Sequence, residues 1–120
     1  MRDREKRIRR ALWDIVDWGE RLMDHVEGRT EEEFRANRLL QDAACRCIEV
    51  IGEASRRLME LDPTLPARHP ELALREAYAA RNRIVHGYDG IDYGIVLAAA
   101  RHSVPRMVAA ARAVIPPDPA

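Results

Sequence analysis

Leu40-Gln41-Asp42-Ala43-Ala44-Cys45-Arg46-Cys47-Ile48-Glu49-Val50-Ile51-Gly52-Glu53-Ala54-Ser55-Arg56-Arg57-Leu58-Met59-Glu60-Leu61 is the stretch whose period decides the fold. Its apolar positions Leu40, Ala43, Cys47, Ile51, Ala54, Leu58 and Leu61 advance in alternating steps of three and four. That is the stripe of a helix lying against another helix. Gly52 and Ala54 are small and let two backbones approach closely, at some cost in propensity for Gly52. Just upstream, Thr30-Glu31-Glu32-Glu33 has the pattern of a capping box, in which the threonine hydroxyl accepts the Glu33 amide and the glutamate reaches back. The pattern predicts one long helix from Thr30 to the Asp62-Pro63 stop.

The flanks have the same period. From Ile8 onward Leu12, Ile15, Leu22, Met23 and Val26, with Trp18 beside them, predict a first helix that ends before Gly28. After Pro63 the chain reads as a loop to His69, with a second proline at Pro66. Pro70 suits the first turn of a third helix running to His86, with Gly87 placed to cap it. A turn at Tyr88-Asp89-Gly90 leads to Asp92 as a new cap, and a fourth helix carries Ile95, Val96 and Ala99. Pro105 should break or kink that helix, with Ser103 capping its second half. No segment has a β period. The expected architecture is therefore all-α, an up-and-down bundle of four to five helices, with residues 1–115 as a single domain and 116–120 as a proline-rich tail.

Twenty basic side chains are matched by twenty acidic ones, so no global positive field draws in nucleic acid; a compact phosphate site is still allowed. The run Arg2, Arg4, Lys6, Arg7, Arg9 and Arg10 reads as a solvated helix end. Cys45 and Cys47 point to opposite sides of a helix and cannot bridge each other, which makes them small core residues. With no disulfide framework, apolar leader or bilayer-length segment, the expected address is the cytoplasm, with no membrane contact. His25, His69 and His102 are scattered, and Glu49 with Glu53 lacks the second Glu/His pair of a di-iron bundle, so no metal or cofactor is expected.

One cluster stands out: Arg81-Asn82-Arg83-Ile84-Val85-His86-Gly87-Tyr88. Arginine grips phosphate bidentately, histidine moves a proton near neutral pH, and tyrosine offers a hydroxyl. On a continuous helix Arg81 and His86 stand about 140° apart, so one copy presents an arc of polar groups. Two copies about a twofold axis would close that arc into a cleft. Such a cleft suits RNA cleavage without metal: imidazole takes the 2′-hydroxyl proton, and guanidinium stabilises the phosphorane charge. By residue type alone the cluster fits a solvated helix end as well, with Tyr88 in packing.

The cluster resembles the Arg-x4-His-x-Tyr signature of the HepT-like branch of the HEPN ribonuclease superfamily. Ile48-Glu49-Val50-Ile51-Gly52-Glu53-Ala54 is similar to that branch's Ile-Gly-Glu-Ala segment. The Gly28-to-Phe34 turn, Ile91-Asp92 and Val104-Pro105 follow in the family's order. The landmarks span about residues 12 to 115. One departure is Glu71 after Pro70, where the family often has tryptophan; no catalytic position is touched. The resemblance implies the toxin of a type VII HEPN/MNT toxin–antitoxin pair, a homodimeric, metal-independent endoribonuclease. It makes Arg81 and His86 the catalytic pair, with Asn82 supporting them and Arg81 and Arg83 holding RNA phosphate. Tyr88 would be the residue to which a minimal nucleotidyltransferase antitoxin adds AMP. The alternative is a HEPN-like helical dimer that binds nucleotide or partner and cleaves nothing.

Overall fold

The computed structural model describes residues 2–87 and 90–118, and all regular structure among them is helical. The elements are α1 (Arg2–Val26), α2 (Glu31–Ala36), α3 (Arg38–Leu61), α4 (Leu65–Arg68), α5 (Leu74–His86), α6 (Tyr93–Ala98) and α7 (Val104–Val114). A 3₁₀ turn covers Pro70–Leu72, and a π-helical turn, Ala99–Ser103, joins α6 to α7. Four rods result: α1, α3, α5 and the continuous α6–α7. Helix α3 packs between α1 and α5, and α7 packs on α1.

Side-chain pairs show that neighbouring rods run in opposite directions. Arg4 at the start of α1 donates to the Leu61 carbonyl at the end of α3 (2.7 Å), while Asp14 of α1 faces Arg57 of α3. On the other side Arg9 donates to the Pro116 carbonyl (3.2 Å) and Glu20 pairs with Arg112 at 2.8 Å. The basic amino-terminal run is thus the first turns of an exposed helix, two of whose arginines tie down the ends of other segments. The core beneath contains Leu12, Ile15, Leu22, Phe34, Leu58 and Leu97, all essentially inaccessible to solvent. Cys45 and Cys47 are buried free thiols, and burial pushes the Cys45 thiol up to about 11, out of reach of thiolate chemistry at neutral pH.

The structure departs from the sequence expectations at the ends of helices. The helix expected from Thr30 onward is two helices. The Thr30–Glu33 capping box forms, but the chain leaves helical geometry at Asn37 (φ −116°, ψ 99°). Asn37 then caps α3 by accepting the Leu40 amide at 3.0 Å. The Gln41 side-chain Nε2 donates to the carbonyls of Phe34 (3.0 Å) and Arg35 (2.9 Å), so the broken turn loses little hydrogen bonding. The break lets the fully buried Phe34 ring reach Tyr93 of α6, edge to face at 6.1 Å between centroids.

The helix expected from Pro70 begins at Leu74 instead, because Ala73 takes a left-handed conformation (φ 50°) between the 3₁₀ turn and α5. The expected loop before it contains the single turn α4. Asp92 caps α6 as expected, accepting the amides of Gly94 and Ile95. Pro105, by contrast, does not break the last rod, and Ser103 makes no cap. The π turn absorbs the proline: the Val104 amide reaches back to Ala99, and the wider coil accommodates a residue that has no N–H to donate. The chain is out of helix from Ile115 through Asp118; Pro119 and Ala120, the end of the expected tail, lie outside the described residues.

Asp62 ends α3 and organises the α3–α4 corner. Its carboxylate accepts the Thr64 amide (3.0 Å) and hydroxyl (2.6 Å), pairs with Arg68, and lies 3.9 Å from Arg4. The Thr64 hydroxyl first, then the Thr64 amide and Arg68, hold its carboxyl below the usual carboxylate value. A depressed folded value means that the stabilisation is complete above about pH 4 and disappears as pH falls through the folded value. Asp62→Asn is expected to cost on the order of 1 kcal/mol at neutral pH. In thermal melts from pH 7 down to pH 2, the gap to wild type should close at the acid end.

Candidate active site

Helix α5 carries Arg81, Asn82, Arg83 and His86 in its last two turns. Close packing on α3 sets its position. A Cβ built on Gly52 would lie 2.2 Å from the Arg81 Cβ and 2.9 Å from the Ala77 carbonyl, so α5 can sit here only against a residue with no side chain. Glycine at this point of α3 thus places the Arg81 backbone. Gly87 closes α5 as its C-cap residue, not in the left-handed form but at φ −116°. A side chain there would meet the Arg83 carbonyl at 2.4 Å.

The four side chains divide between two faces. Arg81 is half-buried and opens onto a polar cleft of 320 Å³ between α1, α3 and α5. Its Nη1 donates to Asn82 Oδ1 at 2.8 Å, and no carboxylate among the described residues lies within ion-pair distance of it. Asn82 is half-buried beside it and His86 is exposed at the end of the helix. By helical pitch these three span an arc of about 140° on α5, from Arg81 at the α3 contact round to the exposed His86. Arg83 points elsewhere, to the lip of a larger groove. Tyr88, the expected modification site, lies outside the described residues.

That larger groove, 540 Å³, runs between α5 and the α6–α7 rod and is walled by Ile51, Ala80, Ile84, Val96 and Met107. Neither Arg81 nor His86 lines it. This groove is therefore apolar and separate from the phosphate-type chemistry.

The polar cleft is the part of the site that sequence reasoning missed. Glu53 lies in it, bound by Arg56 through three hydrogen bonds of 2.6 to 3.2 Å. That contact first, with charge from Arg56, Arg81 and Arg57 behind it, holds the Glu53 carboxyl low. Its negative charge is thus taken up mainly by Arg56, while Arg81 hydrogen-bonds, among the described residues, to the neutral Asn82 amide. Asp14, on the opposite wall, is raised by burial against the opposing pull of Arg57. The signal was present in the sequence: Arg46, Glu49, Val50, Glu53 and Arg57 share one face of α3, beside the face that carries Gly52. Among the described residues no group of three or more His, Cys, Asp or Glu side chains is placed to hold a metal ion, and no helix is long and apolar enough to cross a membrane.

The fold places the chain in the class of small all-helical proteins with an Arg-x4-His segment at the end of one helix, and comparison with known proteins makes the class specific. Residues 15–114 match the family described as Ribonuclease HepT-like, and the chain belongs to that family. It is similar to "Putative RNase MJ1216" of Methanocaldococcus jannaschii, with 28% identity over 83% of this chain and 80% of that protein. "Putative RNase MJ0127" of the same organism is 30% identical over 77% and 74% of the two chains. "Probable ribonuclease HepT" of Thermococcus cleftensis is 28% identical over 80% and 84%. No solved structure matches the chain significantly.

Proposed function

We propose that this ribonuclease-family chain is the toxin of a type VII HEPN/MNT toxin–antitoxin pair, an endoribonuclease that needs no metal and works as a homodimer. The observation that carries the reading is the Arg81 guanidinium, half-buried, hydrogen-bonded among the described residues to Asn82 and on the same arc as an exposed His86. An arginine kept clear of carboxylates is prepared for an anion, and phosphate is the anion that its fork fits.

In this reading His86 takes the proton from a ribose 2′-hydroxyl as that oxygen attacks the adjacent phosphorus. The 2′-oxygen–phosphorus bond forms, the bond to the 5′-oxygen breaks, and the leaving oxygen receives a proton from the second imidazole of the dimer. Arg81 of each copy stabilises the charge on the non-bridging oxygens, with Asn82 orienting its guanidinium and Arg83 offering a further cation to the RNA. Because Arg81 and His86 stand apart on one helix, a second copy facing the open side of α5 would complete the site. Purified chain is expected to cleave tRNA or total RNA in the presence of EDTA; an absolute requirement for a divalent ion would overturn the mechanism.

The nucleotidyltransferase partner would silence the toxin by adding AMP to Tyr88, two residues past His86. The added phosphate brings bulk and negative charge to the place where substrate phosphate must bind, and it competes for the arginines. Tyr88→Phe is expected to cleave RNA as wild type does yet escape the partner's inhibition. Undiminished partner-dependent AMP addition to that variant in mass spectra would move the modification elsewhere.

A further inference from the structure

The polar cleft extends well past Arg81. From the α5 side it crosses the outer face of α3, along Arg57 and Arg46, and ends at Trp18 of α1. At 320 Å³ it falls within the size range of small-ligand sites, about 300 to 1,000 Å³. It brings an aromatic side chain, two further arginines and the proposed phosphate-binding arginine into one continuous depression.

The charge pattern favours an anionic chain over an acidic or neutral occupant. Three arginines line the cleft, Arg46, Arg57 and Arg81, with three carboxylates, Asp14, Glu49 and Glu53, and Arg56 reaches Glu53 from outside the lining. The carboxylates are taken up unequally. Arg56 binds Glu53 through short hydrogen bonds, whereas Arg46–Glu49 (3.6 Å) and Arg57–Asp14 (3.8 Å) are long pairs between partly exposed groups. Pairs of that length and exposure contribute little, so phosphate can displace the carboxylate at small cost. Trp18 already has cations around it: the Arg21 guanidinium carbon is 4.2 Å and that of Arg46 5.9 Å from its ring centroid. Arg21 does not line the cleft. Trp18 and Arg46 therefore form an aromatic and cationic pair on the cleft wall, the combination that single-stranded nucleic acids use for base stacking and backbone contact.

We infer that this cleft is a single-stranded RNA subsite next to the scissile linkage, with a base stacked on Trp18 and the flanking phosphates on Arg46 and Arg57. The inference rests on the ribonuclease reading for its substrate class, and its test is separable from that reading. A base on Trp18 would anchor the strand while Arg81 takes the phosphate undergoing attack. It would also explain selection for unpaired RNA by a protein whose overall charge is balanced.

The chain has two tryptophans, so Trp13→Phe leaves Trp18 as the only indole. Titrating this variant with a short 2′-O-methylated oligouridylate, which lacks the attacking hydroxyl, should quench its emission saturably. The same oligonucleotide made abasic should bind about tenfold more weakly or worse. In cleavage assays Trp18→Ala should raise KM about tenfold with little change in kcat, and Trp18→Phe should restore KM. Equal binding of the base-bearing and abasic strands would overturn the subsite, even if the protein cleaves RNA. Quenching by the base-bearing strand from a protein that cleaves nothing would uphold the subsite and remove the nuclease. Should Trp18→Ala fail to fold, the titration decides. Emission that shifts with protein concentration in the absence of RNA would assign the cleft to a second copy and overturn the inference.

Discussion

His86→Ala is expected to lower the rate of RNA cleavage by about 10²- to 10⁴-fold, the range that a positioned proton-transfer group supplies. The fold should be untouched, because His86 is exposed at the last turn of α5. Thermal melting should therefore coincide with wild type while activity disappears. Arg81→Ala should give a loss of similar size for a different reason, removal of the cation facing the phosphorane charge. If the two residues act on one linkage, the double variant should be little worse than either single one. A His86→Ala protein that still cleaves RNA at the wild-type rate would remove His86 from the mechanism. A His86→Ala protein that retains its biological effect with no cleavage by either form would identify a binding module instead.

Gly52→Val should damage both fold and activity. Even the first carbon of a side chain would stand 2.2 Å from the Arg81 Cβ and 2.9 Å from the backbone oxygen of Ala77, and neither can swing away. Replacing glycine within a helix gains at most about 1 kcal/mol of propensity. Overpacking of this kind costs about 1 to 3 kcal/mol, and more for a branched side chain against backbone, so the balance is unfavourable. The variant relieves the clash by moving α5 away from α3, and α5 carries the catalytic arc. A displacement of about 1 Å at the reacting groups can cost about 10²-fold in rate. The expected result is a lower melting temperature together with a loss of cleavage larger than the loss of folded protein explains. Gly52→Ala should show the same signs at smaller size. A valine variant with wild-type melting and activity would mean that α3 and α5 do not cross this closely.

The arrangement around Gly52 shows how far the sequence could be read. The three–four stripe from Leu40 to Leu61 identified α3 and its buried face because period and burial are coupled at every turn of a helix. The Thr30 capping box and the Asp92 cap were legible because each is closed by groups within three residues. Asn37 was not. A cap in the middle of an apparently continuous pattern becomes visible only when something distant, here Phe34 meeting Tyr93, favours a break. Pro105 misled for the opposite reason: the rule against proline inside a helix assumes α geometry, and one π turn escapes it. At the site, the Arg81–Asn82–His86 spacing was legible as local sequence. That no carboxylate among the described residues lies within ion-pair distance of Arg81 depends on Glu53 being held by Arg56 in a cleft bounded by three different helices.

By itself the sequence determined the helical class, the faces that are buried, and which short segment holds the arginine and histidine, since all of these follow from spacing along one chain. Only the tertiary structure decided what the two arginines of that segment reach, for Arg81 a polar cleft and for Arg83 the lip of an apolar groove. It also decided that Trp18, far away in sequence, shares the cleft with Arg81. Helical period states the direction of a side chain relative to its own axis. What lies in that direction depends on how the axes cross, and here a glycine at the α3–α5 contact sets that crossing.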